Sequence, residues 1–304
     1  MSNQHRSADA PSPETTPQGP PVPPLPPGIT LAATPIGNLS DATFRLRSAL
    51  GEADVIAAED TRRVRALAAG LNVALRAHLI SLHEHNETAR LQELVDRAEA
   101  GERILVVSDA GMPTISDPGF HLVAAAASRG VGITVAPGAS APVTALALAG
   151  LPTDAFTFNG FLPRKGRDRR ERLEQIAEAS ATQILFESPH RVAATLADLA
   201  EHCGPDRRAA LARELTKLHE EVRRGTLADL AAWAEGGVRG EVVLIIGGSP
   251  HPKAADSSDS RVRSLAAEVR ALADLGLRLK DAARHVAARE GVAVNALYRA
   301  ATRQ

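Results

Sequence analysis

From Ile29 onward the chain alternates short, unbroken apolar runs with amphipathic stretches, and this rhythm limits the fold more than any other feature. ITLAAT, DVIAAE, HLISL, RILVVS and GITVA are apolar at successive positions. Strands read this way when helices cover both faces of a mostly parallel sheet. Segments with helical spacing begin near Ala42, Thr61, Glu87, Phe120 and Ala139, one after each run. The pattern predicts a doubly wound α/β domain over residues 29–151. The rhythm breaks at GLPTDAF and resumes in FTFNGFL, TQILFES, RAALAREL, EEVRRG and EVVLIIGG, which predicts a second α/β domain over 152–248. SPHPKAADSSDS (249–260) reads as a polar linker, and 261–304 as a small appendage of three short helices. Residues 1–28 hold nine of the twenty prolines and little apolar surface, the composition of a disordered tail.

Composition narrows the function classes. The single cysteine, Cys203, cannot form an internal disulfide and fits a reducing compartment, with the cytoplasm as default. No apolar run approaches the roughly 20 residues of a membrane span. Aromatic residues make up only 3% of the chain, so a stacking row of exposed rings is not the expected way to hold nucleic acid. Formal net charge is −1, yet the cations are unevenly placed. Between Arg164 and Arg172 six basic residues face two acidic ones, and from Arg261 to Gln304 nine face four. Basic islands of this kind suit phosphate contacts, although charged helices are more often solvated faces.

In an open α/β sheet, ligands bind beyond the carboxyl ends of the strands. Four crossings of the first domain are rich in Gly, Pro and small polar residues: TPIGNLSD (34–41), AEDTRR (58–63), SDAGMPTISDPG (108–119) and APGASAPV (136–143). Gly and Pro punctuate ordinary turns, but four such crossings on one sheet edge predict a pocket built from loops. It is not a dinucleotide loop, because TPIGNL lacks G-x-G-x-x-G, and no G-x-x-x-x-G-K-[ST] occurs in the chain. In HEHNE (83–87), two histidines two residues apart lack the further ligands a closed metal site needs, so the reading is a substrate-side cluster without metal. Asp60 or Thr61 either caps the following helix or serves the site.

SDAGMPTISDPG, TPIGNLSD, AEDTR, HEHNE, APGASA, FLPRK, FESPHR and RELTKLHEE together closely resemble the small-subunit ribosomal RNA methyltransferase I family of the tetrapyrrole-methylase superfamily. The similarity runs from about Ile29 to Gly248. It implies two α/β domains with S-adenosylmethionine in the cleft between them, usually in a homodimer. The implied activity is 2′-O-methylation of a cytidine in the decoding centre of small-subunit ribosomal RNA, with that RNA within the ribosomal subunit as the implied partner. The implied cofactor contacts are Thr34, Pro35, Asp109, Ala110, Gly111, Pro113, Ile115, Ser116, Asp117, Pro137 and Gly138, with Phe186, Glu187, Arg213, Glu214 and Leu215 from later in the chain. Porphyrinoid methylases of the superfamily carry a GDP-like motif where this chain has DAG, which favours RNA. His85 and Asp60 are the candidate general bases. Arg62, Arg164, Lys165, Arg167, Arg169 and Arg170 are the candidate RNA contacts. LKDAARHVAAREGVAVNALYRAATR resembles the helix-turn-helix unit often appended in the family, for nucleic acid or for packing. A porphyrinoid C-methyltransferase, an enzyme modifying a protein side chain and a non-catalytic RNA-binding protein are the alternatives.

Overall fold

The computed structural model describes residues 21–83, 87–250, 257–274 and 276–302. Two compact units emerge from the packing: Met1–Thr144 with Glu214–Glu221, and Ala145–Arg213 with Val222–Gln304.

The first unit holds β1 (Gly28–Ala32), β2 (Val55–Ala58), β3 (His78–Ser81), β4 (Arg103–Val107) and β5 (Ile133–Ala136), ordered β3-β2-β4-β1-β5 in one sheet. Every pairing in it is parallel, as the continuous apolar runs predict. Helices α1 (Phe44–Glu52), α2 (Thr61–Gly70), α3 (Glu87–Glu99) and α4 (Phe120–Ser128) make the four connections, and α5 (Ala141–Ala149) follows β5 and leads into the second unit. Leu46 and Leu50 of α1 and Val64 of α2 share one cluster with Ile56 and Leu105. Leu94 of α3 and Leu122 of α4 share the other with Val55, Ile104 and Val106. Alternate residues of each strand thus feed opposite faces, and both faces are covered. The helix expected from Ala42 starts at Phe44, because Thr43 Oγ1 accepts from Leu46 N–H at 3.0 Å and fixes the cap there; a single 3-10 turn, Leu39–Asp41, precedes it.

The second unit's sheet comprises β6 (Phe156–Phe161), β7 (Thr182–Glu187), β8 (Arg208–Arg213), β9 (Glu221–Thr226) and β10 (Val242–Ile246), in the order β6-β7-β10-β8-β9. It is mixed, since β10 runs antiparallel to both neighbours. Helices α6 (Arg167–Glu178), α7 (Val192–Cys203) and α8 (Leu227–Ala234) cover one face, where Leu173, Leu196, Leu199, Leu227 and Leu230 meet Leu185, Leu211 and Leu244. The C-terminal piece is three helices, α9 (Ser257–Asp274), α10 (Leu279–Glu290) and α11 (Val294–Thr302). Their own core includes Val269, Val286 and Leu297. Gly291, left-handed at φ 66°, ends α10. The stretch read as linker is partly helical, since α9 begins at Ser257. Among the described residues no helix is long and apolar enough to cross a membrane.

Leu105 is fully buried on the central strand β4. Leu105→Ala is expected to cost about 2–5 kcal/mol, read as a lower denaturant midpoint with an unchanged slope.

Candidate functional site in the first unit

Because all five strands of the first sheet are parallel, their carboxyl ends lie along one edge, and the loops after them gather there. The crossover after β1 passes to the α1 face and that after β4 to the α4 face. β1 and β4 are neighbours, so the loops leaving them part in opposite directions and leave room for a ligand. Two main-chain bonds tie these loops together: Thr34 N–H to Gly111 O (2.9 Å) and Gly111 N–H to Thr34 O (3.0 Å). Thr34 Oγ1 donates to Ser108 O at 3.3 Å and Ser108 Oγ to Gly111 O at 2.9 Å.

The crowding of SDAGMPTISDPG has a backbone cause. Gly111 stands at φ 80°, and Thr114 and Ser116 are left-handed at 74° and 63°, a conformation unusual for a β-branched residue and costing on the order of 1–3 kcal/mol. A Cβ at Gly111 would meet Ile36 and the Ala139 carbonyl only at ordinary contact distances, 3.5 and 3.7 Å. The glycine is therefore required by its dihedral more than by the space beside it. Gly37 is different. A Cβ there would lie 2.5 Å from Lys217 Cγ and 2.8 Å from Leu215 O, so residues 214–221 seat directly on the TPIG loop. That segment is itself strained, with Glu214 and Thr216 at φ 51° and 65°. Lys217 Nζ donates to Glu214 Oε1 at 2.9 Å, and Leu215 is buried.

A recess of about 310 Å³ opens at this edge, lined by Thr34, Pro35, Gly37, Arg63, Ser108 and Asp109 among others. Its surroundings are acidic. Asp109 receives Asp60 N–H (3.2 Å) and pairs with Arg63 (3.2 Å). Burial, then Asp109, raises the Glu59 carboxyl above its ordinary value. Burial, followed by Glu59 and Asp109, pushes Asp117 up to about 7. Pro113 is buried, whereas Ala110, Ile115, Ser116, Pro137 and Gly138 are exposed. Glu59 belongs to the AEDTRR stretch weighed from sequence between capping and function, whereas Arg63 of the same stretch was missed. The signal for Arg63 was the loop itself.

Several sequence expectations are altered by the geometry. Asp60 is the cap of α2, accepting from Arg62 N–H at 2.8 Å, and its carboxylate is also forked by the Arg62 guanidinium at 2.7–3.2 Å. Those bonds hold it down at about 2, so it is a poor proton acceptor. His85 lies outside the described residues. Arg62 itself is 86% exposed, with its guanidinium on Asp60.

In the second unit, Phe186 and Glu187 end β7 and Arg213 ends β8, and the register sets Glu187 and Arg213 level with Val242. The Glu187 carboxylate is wholly buried and already bound: Oε2 accepts from Thr195 Oγ1 (2.6 Å), Oε1 from Ser188 N–H (2.7 Å), with Arg191 at 3.5 Å. The Glu187 side chain is thus committed to the β7–α7 turn, which leaves its main chain at the strand end as the part open to a cofactor. Arg169 as an RNA contact is corrected for the same reason. It is only 11% exposed and donates to Asp198 (2.7 Å), Thr195 (3.1 Å) and Pro163 O (3.0 Å). Arg164, Lys165, Arg167 and Arg170 of the same island are exposed.

The raised Asp117 value has a definite consequence for stability. The folded chain binds this proton more tightly than the unfolded chain, whose ordinary value is 3.8. The contribution is fully present below that value and is lost as pH rises through about 7. Asp117→Asn should therefore raise the melting temperature at pH 8 and much less at pH 5. Equal shifts at both pH values would contradict the placement of this carboxyl among Glu59 and Asp109.

Residues 28–231 match the family model of Tetrapyrrole (Corrin/Porphyrin) Methylases. Proteins named "Ribosomal RNA small subunit methyltransferase I" are similar along most of the chain. That of Mycobacterium tuberculosis is 48% identical, over 89% of this chain and 93% of its own length. That of Vibrio cholerae is 40% identical, over 94% and 96%. Among solved structures, the methyltransferase CobJ superposes with a TM-score of 0.55 at 23% identity, over 73% of this chain and 94% of its own. Cobalt precorrin-4 methyltransferase gives 0.54 at 20%, over 72% and 93%; these two share the fold. The loop edge with its paired Thr34 and Gly111 thus sits in a chain that belongs to the ribosomal RNA small subunit methyltransferase I family of tetrapyrrole methylases.

Proposed function

We propose that this protein transfers a methyl group from S-adenosylmethionine to small-subunit ribosomal RNA in the cytoplasm, at the ribose 2′-oxygen of a decoding-centre cytidine. The observation that carries the reading is the sign of the charge at the loop edge. Glu59, Asp109 and Asp117 lie close enough for like charge to raise the proton affinity of Glu59 and Asp117, and Arg63 pairs with Asp109. Such a site favours a ligand bearing positive charge, and S-adenosylmethionine brings a sulfonium and an ammonium. Support also comes from the names of relatives at 40–48% identity. A uroporphyrin-III C-methyltransferase of this fold, 19% identical with a TM-score of 0.50 over 72% of this chain and 96% of its own, is described as complexed with S-adenyl homocysteine.

The main chain of Asp109 and Ala110 would hold the cofactor's polar ends, as turn amides do for charged groups, while Thr34 and Gly111 spend their own main-chain groups on each other and fix the two loops. When bound, the cofactor supplies an electrophilic methyl group. Orientation of the ribose hydroxyl opposite it is then the main task, worth about 7–11 kcal/mol at best. A general base adds about 10²–10⁴-fold. Asp117, held near 7, suits that role better than Asp60, whose carboxylate is committed to Arg62.

Calorimetry tests the cofactor assignment. Binding of S-adenosylmethionine should release a proton at pH 6.5, because a nearby cation lowers the Asp117 value, and affinity should rise from pH 6 to 8. Asp117→Asn should abolish the pH dependence. No binding at any pH would overturn the assignment. RNA sequencing of a deletion strain should show one missing ribose methyl group in the small subunit.

The exposed basic residues generate a separate expectation. Replacing Arg164, Lys165, Arg167 and Arg170 by Ala should weaken RNA binding across sequences and reduce its salt slope by roughly 0.7–0.9 for each phosphate that is no longer neutralised. Arg169→Ala should instead lower stability by on the order of 2 kcal/mol. A slope unaltered in the fourfold variant would remove the island from the RNA-binding surface.

A further inference from the structure

Aromatic residues are scarce in this chain, but they are not scattered. Of the six phenylalanines, Phe158, Phe161 and Phe186 stand together at the β6 edge of the second sheet, and Phe156 begins the same edge strand, level with Thr182. Phe186 packs edge-on against Phe158 with ring centroids 5.0 Å apart, and tilted against Phe161 at 5.5 Å. The register sets Phe158 level with Ile184 and Phe161 level with Phe186, with an irregularity between them. Asn159 and Gly160 make that irregularity, Gly160 at φ 61°. Bulges of this kind re-aim a side chain, and here the outcome is a ring supported from below and open above. Phe161 is 56% exposed and Phe156 46%.

Cations follow this aromatic row in the chain. Arg164 and Lys165 follow Phe161 by three and four residues, which keeps the Arg164 backbone within about 10 Å of it. Arg172 Nη1 donates to Asn159 Oδ1 at 3.3 Å, which fixes a guanidinium beside the bulge. Arg167 and Arg170 are exposed on the first turns of α6.

We infer that the β6 edge is a stacking platform for unpaired bases of the RNA substrate, with Phe161 and Phe156 receiving base faces and the Arg164–Arg172 island holding the phosphates. This inference rests on the RNA reading above and deepens it by naming the surface that receives a single-stranded segment. Aromatic faces flanked by cations are the general means of gripping unpaired nucleotides, because every base has a π-face and every nucleotide a negative charge. The cores of protein–protein contacts are depleted in charge, whereas Arg164 and Lys165, both exposed, directly follow the open end of this row, so charge complementarity selects RNA over a second copy of the chain.

The test uses the full chain, with Phe161→Leu and Phe156→Leu to remove the ring but keep apolar bulk, and Phe161→Trp to restore a ring. The probe is a short single-stranded oligocytidylate, followed by fluorescence anisotropy at fixed salt. Each leucine variant should lose at least about 5-fold in affinity, Phe161→Trp should retain it, and affinity for S-adenosylmethionine should remain unchanged in all three. If the unaltered protein binds the probe and the leucine variants bind it equally well, the platform is refuted while the methyltransferase reading stands. If the unaltered protein binds no RNA, both fall. If Phe161→Leu converts a sedimenting dimer of the free protein to monomer, the edge is a contact between copies and the inference is overturned.

Discussion

The pair of main-chain hydrogen bonds between Thr34 and Gly111 is the contact on which the loop edge depends. Each loop alone is long, polar and rich in residues that could take several paths. Joined, they continue the β1–β4 pairing past the strand ends and turn two crossovers into one surface. The bonds demand a left-handed residue at 111, which is why glycine stands there. They also place Asp109, two residues earlier, where Asp60 N–H and Arg63 both reach it. The acidic character of the recess follows from this short-range geometry rather than from any excess of acid in the chain.

Charge is the second organising principle, and the net value conceals it. A total of −1 is the near-balance of 35 basic and 36 acidic residues, and it hides carboxylates gathered at the end of the first sheet and cations gathered elsewhere. Arg63 answers Asp109, and Arg62 is committed to Asp60, its neighbour in the α2 cap. The carboxylates Glu59 and Asp117 keep raised values because burial penalises their charge and like charges lie near. A group of carboxylates placed so disfavours an anion and favours a cation. The exposed residues of the 164–172 island lie in the other unit and have the opposite preference. One polypeptide thus presents separate surfaces suited to ligands of opposite charge.

Much of the fold was legible because strand burial leaves a direct trace. RILVV and VIAA are apolar at nearly every position since both of their faces are covered, and the sequence shows that without knowledge of any partner. The direction of β10 left no such trace: EVVLII is equally apolar whether it runs with or against its neighbours, and only the connection through β8 and β9 decides. Side-chain roles were less legible still. Arg169 and Arg170 are adjacent and identical, yet the helical turn points the first at Asp198 and Thr195 and leaves the second exposed. Glu187, at a strand end expected to face a ligand, is drawn under α7 by Thr195. Charge is visible in a sequence, but the partner that neutralises it is not.

Backbone strain gives an independent indication of which loops matter. Among the described residues, five other than glycine have positive φ, and four of them are Thr114, Ser116, Glu214 and Thr216. Asn72, the fifth, is a residue type that tolerates the conformation at little cost. The four strained positions belong to only two segments, SDAGMPTISDPG and ELTKLHEE, and both segments pack within the first unit, the second of them directly on Gly37. Strain of about 1–3 kcal/mol per residue persists only where neighbouring contacts over-determine the backbone. Here those contacts are identifiable: Ser108 Oγ on Gly111 O, Glu220 Oε2 receiving Thr216 N–H at 2.6 Å, and Lys217 on Glu214. Loops held in this way are set before a ligand arrives, so less ordering entropy opposes binding. For a reaction whose rate depends chiefly on alignment, that fixed backbone is the property the fold supplies.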